Sequence, residues 1–256
     1  MRLATLNLLN GTSLADRSVT PARLSEAVAA LGADVVGLQE VDRGQPRSHG
    51  ADLTRAVAET MGAAHWRFVP ALVGTPGGQW RAATDDDADV AEASYGIGLV
   101  SRYPVRSWHV TRLRAAPVRS PIVLPGTRQV VWLQDEPRVG LAAVVDTPLG
   151  VMTVATTHLS FVPVWNGTQL RTLTADLARL PGPRVLLGDL NMPPPFPRLL
   201  SRWRVLARVA TYPAWEPKIQ LDHVLASGDL PPVRAVEAPE LAVSDHRGLL
   251  VELQVP

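Results

Sequence analysis

The first forty residues constrain the fold most, because a strand, a helix and a second strand follow one another directly. Residues 2–7 alternate weakly between polar and apolar side chains, which is typical of a strand. Residues 20–31 begin with Thr-Pro, a favoured N-cap and first helical residue, and keep apolar side chains at helical spacing up to Gly32. Residues 34–40 form an apolar run that ends in a carboxylate. This order predicts an α/β architecture.

Further helices and strands are predicted along the rest of the chain. A second helix is predicted over residues 51–61. The β-rich runs 139–145 and 151–157 predict a hairpin, because Asp-Thr-Pro-Leu-Gly between them has turn chemistry. A third helix is predicted to begin at Asn166, with Gln169 three residues later as in a capping box. The remaining predicted elements are a surface loop over 74–94 and strands over 66–69, 95–101, 184–188, 204–209, 219–226, 233–237 and 248–254.

Strands in both halves of the chain, with helices between some of them, predict two sheets packed face to face and flanked by helices. The chain has neither an internal repeat of fixed period nor a long linker, so we expect one domain over residues 1–256.

Composition limits the possible functions. The 256 residues include no cysteine, which excludes disulfides, thiolate metal sites and cysteine nucleophiles. The net charge of +1 is not the strongly basic signature of a general polyanion binder. No segment reaches the ~18–20 apolar residues needed to span a bilayer, and the N-terminus lacks a signal-peptide pattern. We therefore expect a cytoplasmic protein, and we expect it to be a monomer.

Polar side chains recur where apolar runs stop. The segments concerned are Thr5-Leu6-Asn7, Leu38-Gln39-Glu40, Thr156-Thr157-His158, Gly188-Asp189-Leu190-Asn191, Leu221-Asp222-His223 and Ser244-Asp245-His246. Ligand sites in α/β proteins gather where strands end and side chains project into a crevice. Each segment taken alone also fits a turn, a cap or a solvated strand end, whereas their joint occurrence in this order favours a functional site.

The residue types in these segments fit metal-assisted phosphoryl chemistry. Carboxylates and an amide suit Mg²⁺, which prefers oxygen ligands, and Mn²⁺ would accept the same ligands. Histidines stabilise charge or move protons near neutral pH. Asp222 and His246 are candidates for a carboxylate–imidazole pair. Hydrolysis of a phosphodiester needs a polarised phosphate, an activated water and help for the leaving oxygen, and these residues supply all three.

The sequence resembles the endonuclease/exonuclease/phosphatase superfamily, which includes DNase I, exonuclease III, sphingomyelinases and inositol-phosphate phosphatases. The resemblance extends from Thr5-Leu6-Asn7 to Ser244-Asp245-His246, and Gly188-Asp189-Leu190-Asn191 is among its most specific segments. Leu38-Gln39-Glu40-Val41-Asp42 and Tyr95–Pro104 match further family segments. The resemblance implies a DNase I-like four-layer α/β sandwich with two central mixed β-sheets flanked by helices.

The resemblance also implies roles for individual residues. The implied metal ligands are Glu40, Asn7 and Asp245. The implied catalytic residues are His158, Asp189, Asn191, Asp222 and His246. Asp189 and Asn191 would position and activate the attacking water, and His246 would bind the phosphate or act as the base. Asp222 would orient His246, and His158 would contact the phosphate or assist the leaving group. The candidate substrate-binding residues are Asn7, Tyr95 and Arg138.

Departures from the family pattern narrow the substrate class. Val41-Asp42 follows Glu40 where the exonuclease III branch has Thr-Lys, and His158 is typical of the DNase I, sphingomyelinase and deadenylase branches. Residues 218–223, which contain no cysteine, replace the Trp-Cys-Asp-Arg segment of inositol 5-phosphatases. Both an abasic-site repair enzyme and an inositol 5-phosphatase are therefore disfavoured.

Three functional hypotheses remain open. The first is a metal-dependent phosphodiesterase acting on nucleic acid, to which seven arginines within residues 102–138 would contribute phosphate contacts, although a solvated surface explains such a run equally simply. The second is a hydrolase of phospholipid head groups or small phosphoesters, which the apolar segment 161–165 after His158 and the near-neutral charge favour. The third is a non-catalytic binding module, which is disfavoured because the expected ligands are all present.

Overall fold

The computed structural model describes residues 1–123 and 130–255, which form two large sheets, one small sheet and four α-helices. The helices are α1 (Pro21–Leu31), α2 (Leu53–Met61), α3 (Trp165–Leu177) and α4 (Phe196–Ser201). The strands are β1 (Arg2–Asn7), β2 (Val35–Arg43), β3 (His65–Gly74), β4 (Trp80–Ala82), β5 (Ser94–Ser101), β6 (Val105–Leu113), β7 (Arg119–Val123), β8 (Val130–Gln134), β9 (Arg138–Thr147), β10 (Gly150–His158), β11 (Arg184–Asp189), β12 (Arg204–Val205), β13 (Asp222–Ser227), β14 (Val233–Glu237) and β15 (Leu249–Leu253).

Both large sheets are mixed. The first has the strand order β14-β15-β1-β2-β5-β3-β4, and only its β1–β2 pair is parallel among the described strands. The second has the order β12-β13-β11-β10-β9-β6, with β10 and β11 parallel. β7 and β8 form a separate hairpin.

Three hydrophobic clusters arrange these elements in four layers. Leu3, Val35, Leu141, Val154 and Leu187 belong to a cluster in which the inner faces of the two sheets pack together. α1 and α2 pack their buried faces on the outside of the first sheet. α3 packs on the outside of the second sheet. This helix–sheet–sheet–helix order confirms the predicted four-layer sandwich.

Local signals explain α1 and α2. The Thr20 side chain accepts a hydrogen bond from the Arg23 backbone N–H at 3.4 Å, and α1 ends at Gly32 with φ +52°. Asp52 caps α2 in the same way, accepting from Arg55 at 3.0 Å. These bonds satisfy N–H groups that have no partner within the helix. The Thr20 cap confirms the prediction, and the Asp52 cap was not predicted.

The predicted cap of α3 is wrong. Asn166 lies inside the helix, and Val164 occupies the N-cap position without a side-chain hydrogen bond. The Asn166 amide donates to the Asn191 carbonyl at 2.8 Å instead, and Gln169 accepts from the Ser160 backbone N–H at 2.8 Å. Tertiary partners therefore take the polar groups that the local pattern assigns to a capping box.

Two strand regions also differ from the prediction. β4 lies within residues 74–94, which we expected to be a loop, and β6 and the β7–β8 hairpin lie within the arginine-rich residues 102–138. Arginine side chains interrupt the apolar alternation there, so the period-2 signal is weak. Within residues 1–123 and 130–255, no helix has the length and apolar content that crossing a membrane requires.

A buried polar bridge joins the two large sheets next to the strand ends. Thr5 on β1 donates to the Gln39 side-chain oxygen at 3.1 Å, and the Gln39 amide donates to Thr156 on β10 at 2.8 Å. The backbone of β2 approaches closely at Gly37, where an added Cβ would lie 2.5 Å from the Thr156 hydroxyl oxygen. Glycine therefore permits the contact that fixes β2 against β10.

Candidate active site

The parallel strand pairs bring the predicted polar residues to one edge of the sandwich. His158 is in register with Asp189, and Asp189 is in register with Asp222, so these three residues lie side by side on β10, β11 and β13. Asn7 ends β1 next to Gln39 on β2. Strand pairing thus collects side chains that are far apart in the sequence.

Glu40 reaches this edge because β2 contains a bulge. The β2–β5 register shifts between Leu38 and Val41, and Glu40 has φ +52°, a left-handed conformation that is uncommon outside glycine. Leu38 and Val41 both pack on the helix side of the sheet. Strict alternation would place Glu40 beside Leu38 on that side, and the extra residue instead lets Glu40 line the cleft.

Asn7 connects the two sheets at the site. Its amide nitrogen donates to Glu40 at 3.0 Å and to Asp189 at 3.2 Å. Its side-chain oxygen accepts from the Leu9 backbone N–H at 3.0 Å, which fixes the orientation of the amide. Asn7 therefore presents its nitrogen to the carboxylates, and offering its oxygen to a metal would require a rotation that breaks the bond to Leu9.

Asp189, Asn191 and His158 form a connected group. Asp189 accepts the Asn191 backbone N–H at 2.9 Å, an Asx turn that leaves Asn191 at φ +49°. The Asn191 amide donates to the Leu159 carbonyl at 2.9 Å and to Nε2 of His158 at 3.0 Å. Nε2 of His158 also lies 3.6 Å from the Asp189 carboxylate.

Asp222 and His246 form the predicted carboxylate–imidazole pair. Nδ1 of His246 lies 2.8 Å from Oδ2 of Asp222, and both side chains are buried. The other ring nitrogen, Nε2, lies 3.8 Å from the Asp189 carboxylate. The ring of Tyr212 packs against the imidazole with centroids 4.8 Å apart. Asp222 thus fixes the orientation of the ring, and Nε2 is directed towards Asp189 at the cleft.

Burial and neighbouring charges shift the pKa values of these groups in different directions. Burial raises the pKa of Asp189 to about 7, although His246 opposes this rise. Burial lowers the pKa of His246, but the carboxylates of Asp222 and Asp189 outweigh it and raise the value to about 10. Burial, Arg138 and His246 lower the pKa of His158 well below its ordinary value. At neutral pH His246 is therefore cationic and His158 is neutral.

The pKa of Glu40 is raised even though His246 and Arg138 lie near enough to oppose the rise. Burial raises its pKa, the Asn7 amide lowers it, and the neighbouring Asp245 raises it further. Asp245 adjoins His246 in the chain and lines the same cleft. A divalent cation between these carboxylates would relieve their repulsion, and oxygen ligands of this kind suit Mg²⁺.

A second group of possible metal ligands consists of Asp189, Asp222 and His246, whose ligand atoms all lie within 4.8 Å of one another. Asp222 and His246 already bond each other at 2.8 Å. A metal ligated by both would have to replace that bond, so the group is better arranged for sharing protons.

The cleft has a volume of about 800 Å³ and contains most of the predicted residues. Its lining includes Glu40, Tyr95, Arg138, His158, Asp189, Asn191, Asp245 and His246. Asn7 and Asp222 lie behind this lining and contact it through their hydrogen bonds. The structure therefore brings together the ten candidate metal-binding, catalytic and substrate-binding residues, whereas His223 bonds to the Met192 carbonyl outside the cleft.

Sequence reasoning missed several contributors to the cleft. Asp135 is buried, pairs with Arg138 at 3.5 Å, and accepts from the Ser160 hydroxyl and the Ala116 backbone N–H. Glu136 lines the cleft next to Arg138, and burial raises its pKa. Both residues lie just before β9, where the sequence carries no recognisable motif.

The arginine-rich segment does not form one surface. Arg106 pairs with Asp146 at 2.7 Å, Arg112 pairs with Asp85 at 3.1 Å, and Arg102 donates to the Met61 carbonyl. Arg138 is the one member that lines the cleft among the arginines that the structure describes. Arg128 lies outside the described residues.

Comparison with solved structures supports the fold. A protein from Beutenbergia cavernae, described as an endonuclease/exonuclease/phosphatase, is 24% identical, with a TM-score of 0.68 over 100% of this chain and 71% of that chain. Sphingomyelinase C from Streptomyces griseocarneus is 15% identical, with a TM-score of 0.61 over 99% of both chains. A mannosyl-6-phosphatase from Bacteroides thetaiotaomicron is 16% identical, with a TM-score of 0.65 over 99% of both chains. A search of curated proteins found no match.

A family model described as the endonuclease/exonuclease/phosphatase family matches residues 4–246. Members of this family hydrolyse phosphoester bonds. The match covers every predicted segment from β1 to His246, and the four-layer sandwich agrees with it. This chain belongs to the endonuclease/exonuclease/phosphatase family.

Proposed function

We propose that this chain is a magnesium-dependent phosphodiesterase that acts on a compact phosphodiester, and that Mn²⁺ can replace Mg²⁺. The observation that carries the proposal is the convergence of a desolvated carboxylate, a buried aspartate of raised pKa and a cationic histidine on one cleft. Enzymes of this family generally depend on a divalent metal.

The metal would be held by Glu40 and Asp245. When bound, Mg²⁺ supplies Lewis-acid polarisation of a phosphoryl oxygen. The Asn7 amide donates to Glu40 at 3.0 Å and thereby holds its carboxylate in the ligating position. Asn7 would itself become a ligand only if its amide rotated away from Leu9.

Asp189 would orient the attacking water and accept its proton. A pKa of about 7 is well matched to general-base catalysis at neutral pH. The Asn7 amide and the Asn191 backbone N–H bind its two oxygens and fix the carboxylate relative to the cleft. Asn191 would help to position the same water.

His246 would bind the phosphate as a cation through Nε2, with Asp222 holding the ring. Arg138 also lines the cleft and would supply a second positive charge to the phosphate. Asp135 pairs with its guanidinium at 3.5 Å and holds it in place. His158 is neutral and accepts from Asn191, so we assign it to positioning at the leaving-group side. Tyr95 would form part of the substrate wall.

The charge distribution favours a small substrate over a nucleic-acid backbone. Binding along a nucleic acid requires several phosphate contacts from lysine or arginine. Among the described arginines of residues 102–138, Arg106 and Arg112 form ion pairs outside the cleft, and Arg138 is the one that lines the cleft. A small phosphodiester or a lipid head group needs a single phosphate site.

The test is a turnover screen with Mg²⁺, Mn²⁺ or EDTA. Substrates are bis-p-nitrophenyl phosphate, single- and double-stranded DNA, RNA and a sphingomyelin dispersion. We expect metal-dependent hydrolysis of bis-p-nitrophenyl phosphate that Asp189→Asn removes and Asp146→Asn retains, because Asp146 lies in an exposed ion pair. Preferred hydrolysis of DNA or RNA would overturn the choice of substrate. Absence of turnover with every metal and substrate would overturn the enzymatic proposal and favour a binding role.

A further inference from the structure

A second cavity adjoins the active-site cleft. It has a volume of about 430 Å³, within the usual range of roughly 300–1,000 Å³ for ligand pockets. It lies between the start of α3 and the segment that leads into α4, and it shares Pro163 and Asn191 with the cleft. Most of its other lining is apolar: Val164, Met192, Pro193, Phe196 and Leu200. The cavity therefore lies directly beside the cleft.

The uncharged polar side chains Asn166 and Thr168 of the cavity wall already make hydrogen bonds within the protein. The Asn166 amide donates to the Asn191 carbonyl at 2.8 Å, and its oxygen accepts from the Gly167 backbone N–H at 2.8 Å. The Thr168 hydroxyl donates to the Val164 carbonyl at 3.3 Å. Arg171, the one charged residue among the described lining residues, is exposed. A nucleobase edge or a sugar would find few free partners here, whereas an alkyl chain needs none.

Exposed apolar side chains surround the cavity. Val164 is 84% exposed and Phe196 is 50% exposed. Val164 also has φ +70°, a conformation that is sterically unfavourable for a β-branched residue. An apolar side chain held in water by an unfavourable backbone is typical of a surface that a ligand covers.

We propose that this cavity binds an alkyl chain carried by the substrate, while the phosphoester lies in the cleft. The proposal rests on the proposed phosphodiesterase activity and names its substrate class as phosphodiesters with an apolar alcohol. The shared lining at Pro163 and Asn191 places the alkyl site directly beside Asn191, which under the proposed function would help to position the attacking water.

The test compares methyl, butyl and octyl p-nitrophenyl phosphodiesters below the concentrations at which they form micelles. Burying one methylene raises affinity roughly fourfold, so complete burial of the seven additional methylenes of the octyl ester would raise kcat/KM by up to about 10⁴-fold over the methyl ester. We expect an increase of at least about 100-fold. Thr168→Trp would fill the cavity and reduce this ratio to near one. Thr172→Trp is the matched control, since Thr172 lies one turn later on α3, is exposed, and makes the same kind of backbone bond outside the cavity.

A binding measurement separates failure of this site from failure of the proposed function. N-phenyl-1-naphthylamine, an apolar fluorescent probe without phosphate, should bind the wild type and Thr172→Trp but bind Thr168→Trp at least tenfold more weakly. If the methyl ester is hydrolysed, the rate does not depend on chain length and the probe does not bind, the proposed alkyl site is wrong and the proposed phosphodiesterase activity is retained. Probe binding without hydrolysis of any ester would retain the alkyl site and overturn the proposed function. A dimer by sedimentation that Thr168→Trp dissociates would assign the cavity to a second copy and overturn the proposal.

Discussion

The two large sheets contribute different chemistry to the same cleft. The first sheet contributes the Asn7 amide and the Glu40 carboxylate, which together form an oxygen-rich, negatively charged corner. The second contributes His158, Asp189 and Asp222. Asn191 hydrogen-bonds to His158 and Asp189, Asp222 pairs with His246, and Nε2 of His246 lies 3.8 Å from the Asp189 carboxylate. The first arrangement suits a cation, and the second suits proton transfer and a phosphate. Metal binding and chemistry are therefore expected to respond to different mutations.

Asn7 and Gln39 connect these two arrangements. Asn7 contacts a carboxylate from each sheet, and Gln39 joins β1 and β10 through buried hydroxyl groups. The relative position of the two halves is thus set by a few buried hydrogen bonds as well as by the apolar core between the sheets.

The largest effect is expected in the second sheet. Asp189→Asn should lower kcat for bis-p-nitrophenyl phosphate by about 10³-fold, because an amide cannot accept the proton of the attacking water. The concentration of Mg²⁺ giving half-maximal rate should change little, and circular dichroism should show a folded protein. A variant that retains more than a tenth of the rate would contradict the role of Asp189 as the base.

Asp222→Asn tests the charge of the second network through its pH dependence. The pKa of His246 is raised to about 10, so its contribution to stability is complete below pH 6.5 and is lost as the pH rises through 10. Removing the partner carboxylate should lower the free energy of unfolding by about 3 kcal/mol near pH 6. Urea unfolding in EDTA should show this difference narrowing towards pH 10, and a difference that is constant with pH would contradict the pairing.

Glu40→Gln tests the first sheet separately. We expect the Mg²⁺ concentration for half-maximal rate to rise about 10- to 100-fold, because a charged ligand is lost. In EDTA the same variant should melt at a higher temperature than the wild type, since burial and Asp245 make ionised Glu40 unfavourable. Thermal scans with and without Mg²⁺ measure both effects. A lower melting temperature in EDTA would show that Glu40 is instead stabilised as a carboxylate by its neighbours.

Gln39→Leu tests the bridge between the two halves. Leaving the Thr5 and Thr156 hydroxyls without this partner should lower the free energy of unfolding by about 2 kcal/mol. Because β2 also carries Glu40, kcat should fall together with stability. The double variant Gln39→Leu/Thr156→Val should recover part of the stability in a double-mutant cycle. Strict additivity of the two substitutions would argue against a coupled bridge.

The smallest effect is expected outside the cleft. Arg106→Gln removes an exposed ion pair with Asp146, which contributes at most about 1 kcal/mol. Its kcat/KM should stay within about twofold of the wild type on every substrate tested. A large loss of kcat/KM confined to DNA or RNA would instead support the nucleic-acid hypothesis, because the arginine-rich segment would then contribute to substrate binding.

Parts of the fold follow from short-range sequence signals. Thr20 and Asp52 cap helices through bonds to residues three positions away, and the turn between β9 and β10 has its own chemistry. These features are local, and the sequence predicts the Thr20 cap and the turn. The Asp52 cap is equally local but is not among these predictions. The start of α3 is not predictable in this way, since Asn166 and Gln169 bond to distant backbone groups instead of to the helix end.

The same distinction applies to the site. The sequence alone identified which polar residues end the apolar runs, because each run and its terminal side chain are adjacent in the chain. The contact between Asn7 and Asp189 spans 182 residues, and it forms because two parallel strand pairs from separate sheets end at one edge. The packing of the two sheets determines the remaining features of the site. These are the bulge that turns Glu40 into the cleft, the amide orientation of Asn7, the placement of Asp135 and Glu136, and the dispersal of the arginines. Packing decides them because burial and partner distance, which set each group's pKa and hydrogen bonds, exist only once the layers are assembled.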